Sequence, residues 1–378
     1  MTADSPATRL ATRLAFLVAG FGLACWAPLV PFAKQRLGIG DGVLGLLLLC
    51  LGIGSVVAML VTGVVSARHG SRPVIIAGGL GAALLLPGLA LAGQPWMLGG
   101  VLLLFGAALG SLDVAMNVHA LAVERGAGRP LMSGFHALFS AGGLAGAALV
   151  TALLSAGWSP LQGTLLGSAL MLVAMALAAP RLLRATAAPA EPPRLAWPRG
   201  PVRLLAGLAG VCFLVEGAVL DWSALLLTEG GLLPAAQGGL GFLVFSVAMT
   251  AGRFGGDALC ARLGDATVLI AGGAVAVAGF ALVLLSTAVW PAMAGFLGIG
   301  LGAANLVPVL FRRAGAQTAM PPALAIAAIS TTGYAGVLLG PAAIGFVSQV
   351  WDLQGAFALL ALLLALVPLS ARRVTGQG

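Results

Sequence analysis

Charge is what this sequence has least of. Asp, Glu, Lys and Arg make up 8% of its 378 residues, against about 25% in ordinary soluble domains. A soluble enzyme of this composition would expose more apolar surface than water tolerates, and a disordered chain needs the opposite balance. Lysine is nearly missing: Lys34 is the only one, and no Gly-x-x-x-x-Gly-Lys segment exists. An ATP-driven pump built on a phosphate-cradling loop is therefore disfavoured. The four cysteines, Cys25, Cys50, Cys212 and Cys260, all fall inside apolar runs. They read as small apolar packing residues, not as a disulfide framework or zinc ligands. No nucleophile and base pair, metal cluster or soluble sensor domain stands out, which disfavours a membrane enzyme or a receptor. No cofactor and no metal is expected.

What the chain has in excess is apolar length. Hydrophobic residues reach 60%, 56 residues are glycine, and the mean hydropathy is +1.08. Allowing about 20 residues for each spanning helix and about 10 for each connection, this length holds roughly twelve spans. Apolar runs predict spans at about 13 to 33, 42 to 66, 73 to 93, 96 to 122, 131 to 156 and 160 to 180. The second half predicts about 203 to 227, 236 to 261, 267 to 287, 290 to 311, 322 to 349 and 353 to 371. The runs are continuous and do not alternate, which excludes a β-barrel. The first run lacks a small-residue cleavage site and reads as an ordinary first span.

The net charge of +8 invites a nucleic-acid reading, but the arginines are distributed as a topology signal. One set of connections holds nearly all of them, from Arg9 and Arg13 through Arg68, Arg72, Arg125, Arg129, Arg181, Arg194, Arg262, Arg312 and Arg313 to Arg372 and Arg373. The opposite set holds only Lys34 and Arg36, and Arg253 lies inside a span. By the positive-inside rule the arginine-rich side is cytoplasmic, both termini are cytoplasmic and the span count is even. The expected location is the cytoplasmic (inner) membrane, with the lipid bilayer as solvent and no nucleic-acid partner.

Between Arg181 and Arg203 hydropathy collapses into a basic stretch with Pro189, Pro192, Pro193, Pro198 and Pro201. This predicts a six-helix bundle over 1–180, a linker over 181–202 and a second six-helix bundle over 203–378. The halves echo each other. GVVSARHGSR, with Arg68 and Gly70, matches GDALCARLGD, with Arg262 and Gly264, and SAGGLAGAAL from Ser140 matches YAGVLLGPAAIG from Tyr334 at a similar offset. Repeated halves are common in secondary transporters, with the substrate site near the bilayer midplane between them.

With Gly63, Arg68, Gly70 and Arg72 following a Gly-x-x-x-Asp-Arg-x-Gly-x-Arg pattern, the chain resembles the major facilitator superfamily over essentially its whole length. Ala67 stands where that pattern has aspartate. The segments LGSLDVAMNVHALAVER and RPLMSGFHALFSAGGLAGA resemble the MosC-like branch, distantly related to fucose-permease symporters. The resemblance implies an all-α fold of twelve transmembrane helices in two pseudo-symmetric bundles. It also implies a cavity lined by the first, fourth, seventh and tenth helices, and alternating access.

Charges at the bilayer centre are costly and tend to be functional. Asp113 lies mid-way along the fourth span with Asn117 one turn on, and Glu216 lies mid-way along the seventh with Asp221 and Trp222 beyond it. Asn305 in the tenth span falls opposite Asp113 when the halves are aligned. Asp113, Glu216 and Asp221 are the candidates for proton coupling, since burial favours the neutral form of a carboxyl. Trp26, Asp113, Asn117, Glu216, Trp222, Asn305 and Tyr334 are the candidates for contacting a small-molecule substrate. Hydrogen bonding between helices is the competing reading for Asp113 and Asn117; interfacial anchoring is the reading for Trp96, Trp158, Trp290 and Trp351 and the competing one for the deeper Trp26.

His119 and His136 read as packing histidines. Arg68, Arg72, Glu124, Arg125 and Arg262 sit at arginine-rich ends and read as contacts of a cytoplasmic gate. Arg253 and Asp257, four residues apart on one helical face, read as a compensating pair within it. Together these features predict a monomeric secondary transporter, no enzyme, moving a sugar or cyclitol-like solute with protons. The alternative is a proton-driven antiporter exporting amphiphilic compounds.

Overall fold

The computed structural model describes residues 5–128, 131–184, 197–320 and 322–376. Much of the predicted linker, with Arg194 and three of its prolines, lies outside the described residues, as do Arg129 and the side chains of Arg68 and Asp257. The first half contains α1 (Pro6–Cys25), a 3-10 turn (Ala27–Leu29), α2 (Val30–Leu37), α3 (Asp41–His69), α4 (Ser71–Leu91), α5 (Pro95–Ala127), α6 (Met132–Ser155) and α7 (Pro160–Ala178). The second contains α8 (Val202–Glu229), α9 (Leu240–Phe254), α10 (Gly256–Leu263), α11 (Asp265–Leu285), α12 (Val289–Ala303), α13 (Leu306–Ala316), α14 (Pro322–Trp351) and α15 (Leu353–Thr375). Among the described residues, 12 helical segments are long and apolar enough to cross a membrane, and each coincides with one of the predicted apolar runs.

The chain divides into two compact units. One comprises Met1–Ile39, Leu47–Pro192 and Ala235–Gly239; the other comprises Gly40–Leu46, Pro193–Pro234 and Leu240–Gly378. The repeat is geometric as well as textual. α4 and α11 are both 21 residues long. Each is preceded by a glycine at positive φ, 80° at Gly70 and 79° at Gly264. Both glycine amides donate at 2.9 Å to the carbonyl four residues back, Ser66 and Cys260. Only glycine adopts this backbone without a Cβ penalty, which explains its recurrence in both halves.

Within each unit, helices meet through small residues. A Cβ added at Gly142 of α6 would run into the Leu17 carbonyl of α1, and one at Gly336 of α14 would run into the Gly210 carbonyl of α8. In hydrocarbon, such close backbone approach supplies the packing that water-driven burial supplies elsewhere.

The first, eighth and tenth spans are not the single helices that the runs predict. α1 ends at Cys25, because Pro28 and Pro31 have no N–H to return to the carbonyls of Ala24 and Ala27. α9 stops at Phe254, and α10 starts anew after Gly255. α12 stops at Ala303, and Asn305 caps the start of α13, whose third residue is Pro308. A cavity of about 890 Å³ lies between α3, α4 and α5, lined mainly by residues such as Ile53, Val57, Val61 and Ala107; Asp113 is not among them.

Candidate functional site

Two of the helix breaks face each other in the second unit, and they build a polar cluster. Pro308 leaves the Ala304 carbonyl without its usual helical donor. Arg253 Nε donates to that oxygen at 3.4 Å. At the end of α9, the Gly252 carbonyl is likewise past its helical partner, and Asn305 Nδ2 donates to it at 3.0 Å. Gly256 has to be glycine for this contact, because a Cβ there would collide with Asn305 Oδ1. Asn305 is itself 8% exposed; its amide ties the break in the tenth span to the break in the eighth.

Held by Ala304, the Arg253 guanidinium reaches α8. Its Nη2 lies 3.2 Å from Glu216 Oε1 and 3.3 Å from Oε2. The side chains of this ion pair are 42% and 23% accessible, for Arg253 and Glu216 respectively. Arg253 therefore joins the embedded carboxylate. The partner expected for Arg253 on its own span, Asp257, has its side chain outside the described residues. Ser223 lies seven residues after Glu216, on the same face of α8. Among the described residues, neither the buried Ser223 hydroxyl nor the buried Trp222 indole N–H meets a partner. Asp221 is half-buried between them and Glu216 in sequence.

In the first unit, Asp113 and Asn117 are half-buried on α5. Asn117 Nδ2 donates to the Asp113 carbonyl at 2.9 Å and reaches Asp113 Oδ1 at 3.4 Å, a long bond. Trp26 stands at the break of the first span, 1% exposed, and its indole N–H also meets no acceptor among the described residues. Tyr334 on α14 is more than half exposed.

His119 is fully buried and its bonds fix its state. The Leu183 amide can only donate, so Nε2, 3.0 Å away, accepts. The ring is neutral with its proton on Nδ1, which donates to Thr12 Oγ1 at 3.2 Å; that hydroxyl donates to the Thr8 carbonyl at 2.9 Å. His119 pins α5 to α1 and to the chain leaving the sixth span. His136 meets Phe16 edge to face at 5.1 Å.

The residues expected at a gate are scattered over the arginine-rich ends. Arg72 Nε donates to the Ala179 carbonyl at 3.2 Å. Glu124 Oε2 accepts the Leu131 amide at 2.6 Å, where the chain enters α6. Arg125 and Arg262 are exposed in the last turns of α5 and α10. Sequence reasoning passed over one cluster. Asp265, at the start of α11, takes Arg312 Nη1 at 2.8 Å, with Arg313 Nε at 3.7 Å. Arg313 also donates to the Thr375 carbonyl at the end of α15. The signal was an acid placed right after the positive-φ Gly264, in a connection otherwise populated by arginine.

The family description "Major Facilitator Superfamily" matches residues 13–320. The chain is 48% identical over 367 residues to an uncharacterised MFS-type transporter of Yersinia pestis, covering 97% of this chain and 96% of that one. It is 30% identical over 345 residues to the membrane protein MosC of Rhizobium meliloti, covering 90% and 84%. Among solved structures, the nucleoside transporter NupG (D323A mutant) superposes with a TM-score of 0.78 at 14% identity, covering 97% and 99%. A bacterial homolog of the human lysosomal transporter Spinster gives 0.69 at 15% identity, covering 98% and 96%. With twelve spans, a repeat carried into backbone geometry and these relatives, this multi-pass membrane protein, a solute transporter and not an enzyme, belongs to the major facilitator superfamily in its MosC-like branch.

Proposed function

We propose that this chain carries a small polar organic solute, sugar or cyclitol-like, across the cytoplasmic membrane by alternating access, coupled to proton movement through Asp113 and Glu216. The observation that carries the reading is the Glu216–Arg253 pair: a carboxylate midway along α8 held by an arginine in the last turn of α9, where the eighth span breaks, both partly accessible. Ions are retained in such surroundings at a cost, and an ion pair that a solute can reach is suited to exchange partners during a cycle. Asp113 supplies a second embedded carboxylate in the other unit. In the second unit, the indole N–H of Trp222 and the hydroxyl of Ser223, which meet no partner among the described residues, fit a solute rich in acceptor oxygens, because buried donors ordinarily find one. Secondary transporters use embedded carboxylates and broken helices in this way.

Proteoliposomes test it. Labelled sugars and cyclitols are offered with an inward proton gradient to wild type, Asp113→Asn and Glu216→Gln. Accumulation by wild type should be lost in at least one variant and abolished by a protonophore. If both variants keep proton-driven uptake, these carboxylates do not couple transport.

A further inference from the structure

Arg253 is held in a way that leaves one edge of its guanidinium open. Nε is spent on the Ala304 carbonyl, and Nη2 lies against both oxygens of Glu216. Nη1 meets no acceptor among the described residues, and the side chain is 42% accessible. A guanidinium fixed at Nε presents Nη1 and Nη2 as a planar fork whose geometry matches a carboxylate. Glu216 engages only the Nη2 tooth of that fork.

Among the described residues of the neighbouring helices, the other charges are placed elsewhere. α9 carries no other charge, and α12 carries none. On α13, Arg312 and Arg313 are engaged by Asp265. On α15, Arg372 and Arg373 sit in the last turn. Asp221 lies five residues beyond Glu216 on α8, Cys212 one turn before it, and Tyr334 on α14 carries the chain's single phenol.

From this geometry we infer that Arg253 anchors a carboxylate on the transported solute and that Glu216 is the internal counter-ion the solute displaces, so that the substrate is a polyhydroxylated acid of the uronate or aldonate kind. The inference rests on the transport reading above and narrows its substrate class. One guanidinium in a low-dielectric site is balanced by one carboxylate; two leave an excess negative charge, and none leaves the cation stranded. Solute and Glu216 therefore bind Arg253 in alternation. A neutral sugar gains no such exchange. An amine-bearing sugar would instead pair with Glu216 and expel Arg253.

The test is a thermal-shift titration of the purified full chain with glucose, glucosamine, glucuronate, gluconate and acetate. Glucuronate or gluconate should raise the Tm of wild type, whereas glucose and glucosamine should not. The shift should vanish in Arg253→Gln and weaken in Arg253→Lys. In Glu216→Gln, where the internal competitor is gone, the apparent Kd for glucuronate should tighten about tenfold. Should Arg253→Gln not fold, wild type, Arg253→Lys and Glu216→Gln still decide. Equal shifts with glucose and glucuronate, a shift with glucosamine alone, no shift with any carboxylate, or a glucuronate shift that survives Arg253→Gln each overturn the inference. If glucose is carried with protons while glucuronate does not bind, the transport reading stands and this inference falls. If glucuronate binds through Arg253 yet moves no protons, the inference stands and the coupling falls.

Discussion

Arg253 shows how one side chain can be read two ways. By spacing alone it faces Asp257, four residues on. In the structure its guanidinium crosses 37 sequence positions to Glu216 and also fills a carbonyl that Pro308 leaves open. Both embedded charges were legible in the sequence, because a charge inside a long apolar run is conspicuous. Their pairing was not, because it depends on where α9 ends. The pair should be visible energetically. Arg253→Gln and Glu216→Gln each strand the partner, so the double variant should lose less stability than the sum of the singles. The coupling should be about 1 kcal/mol, because both side chains remain partly accessible. Thermal unfolding of the four proteins in one detergent measures it, and strict additivity would mean that the ion pair contributes nothing to the fold. His119 follows the reading given to it from sequence, since all its ring bonds are spent on Thr12 and Leu183.

At the scale of elements, average hydropathy locates the twelve spans but is blind to interruptions within them, since a broken helix is as apolar as a straight one. The punctuation was present. Pro28, Pro31 and Pro308 sit where helical hydrogen bonds fail, and Gly255 and Gly256 sit where α9 gives way to α10. Reading them as breaks requires knowing that freed carbonyls find donors, here Arg253 and Asn305, and those donors come from other spans. The contact of Gly256 with Asn305 gives a sharp prediction. Gly256→Ala should lower stability by about 1–3 kcal/mol, because its methyl pushes Asn305 off the Gly252 carbonyl. Gly207→Ala, on an exposed stretch of α8 with nothing near a new Cβ, should be neutral or stabilising by about 0.5–1 kcal/mol. Equal effects of the two substitutions would mean that the junction of α10 with α13 is not tightly packed.

For the whole molecule, scarcity of charge proved the most informative feature of the chain, because it identified lipid as the solvent and set out the arginines as the expected marker of one membrane face. The repeat was legible from two matched segments, and the structure extends it to backbone angles at Gly70 and Gly264. Substrate contacts were less legible, since a pocket is made by residues far apart in sequence and its ligand leaves no periodic trace. Sidedness is directly testable. Cysteines placed at Arg125 and Arg262 should react with a membrane-impermeant thiol reagent only in inverted vesicles, and one at the exposed Gln94 only in right-side-out vesicles. Reaction of all three from one side would reverse or dissolve the topology. The central claim, that Asp113 and Glu216 link the solute to protons, is tested most directly by separating exchange from accumulation. Proteoliposomes with wild type or the Asp113→Asn, Glu216→Gln double variant are assayed with the same labelled sugars and sugar acids in two modes. One mode is exchange of labelled for unlabelled solute without a gradient, and the other is net uptake under an inward proton gradient. The account predicts that wild type does both, while the double variant still exchanges but accumulates nothing; a double variant that accumulates solute in proportion to the proton gradient would contradict it.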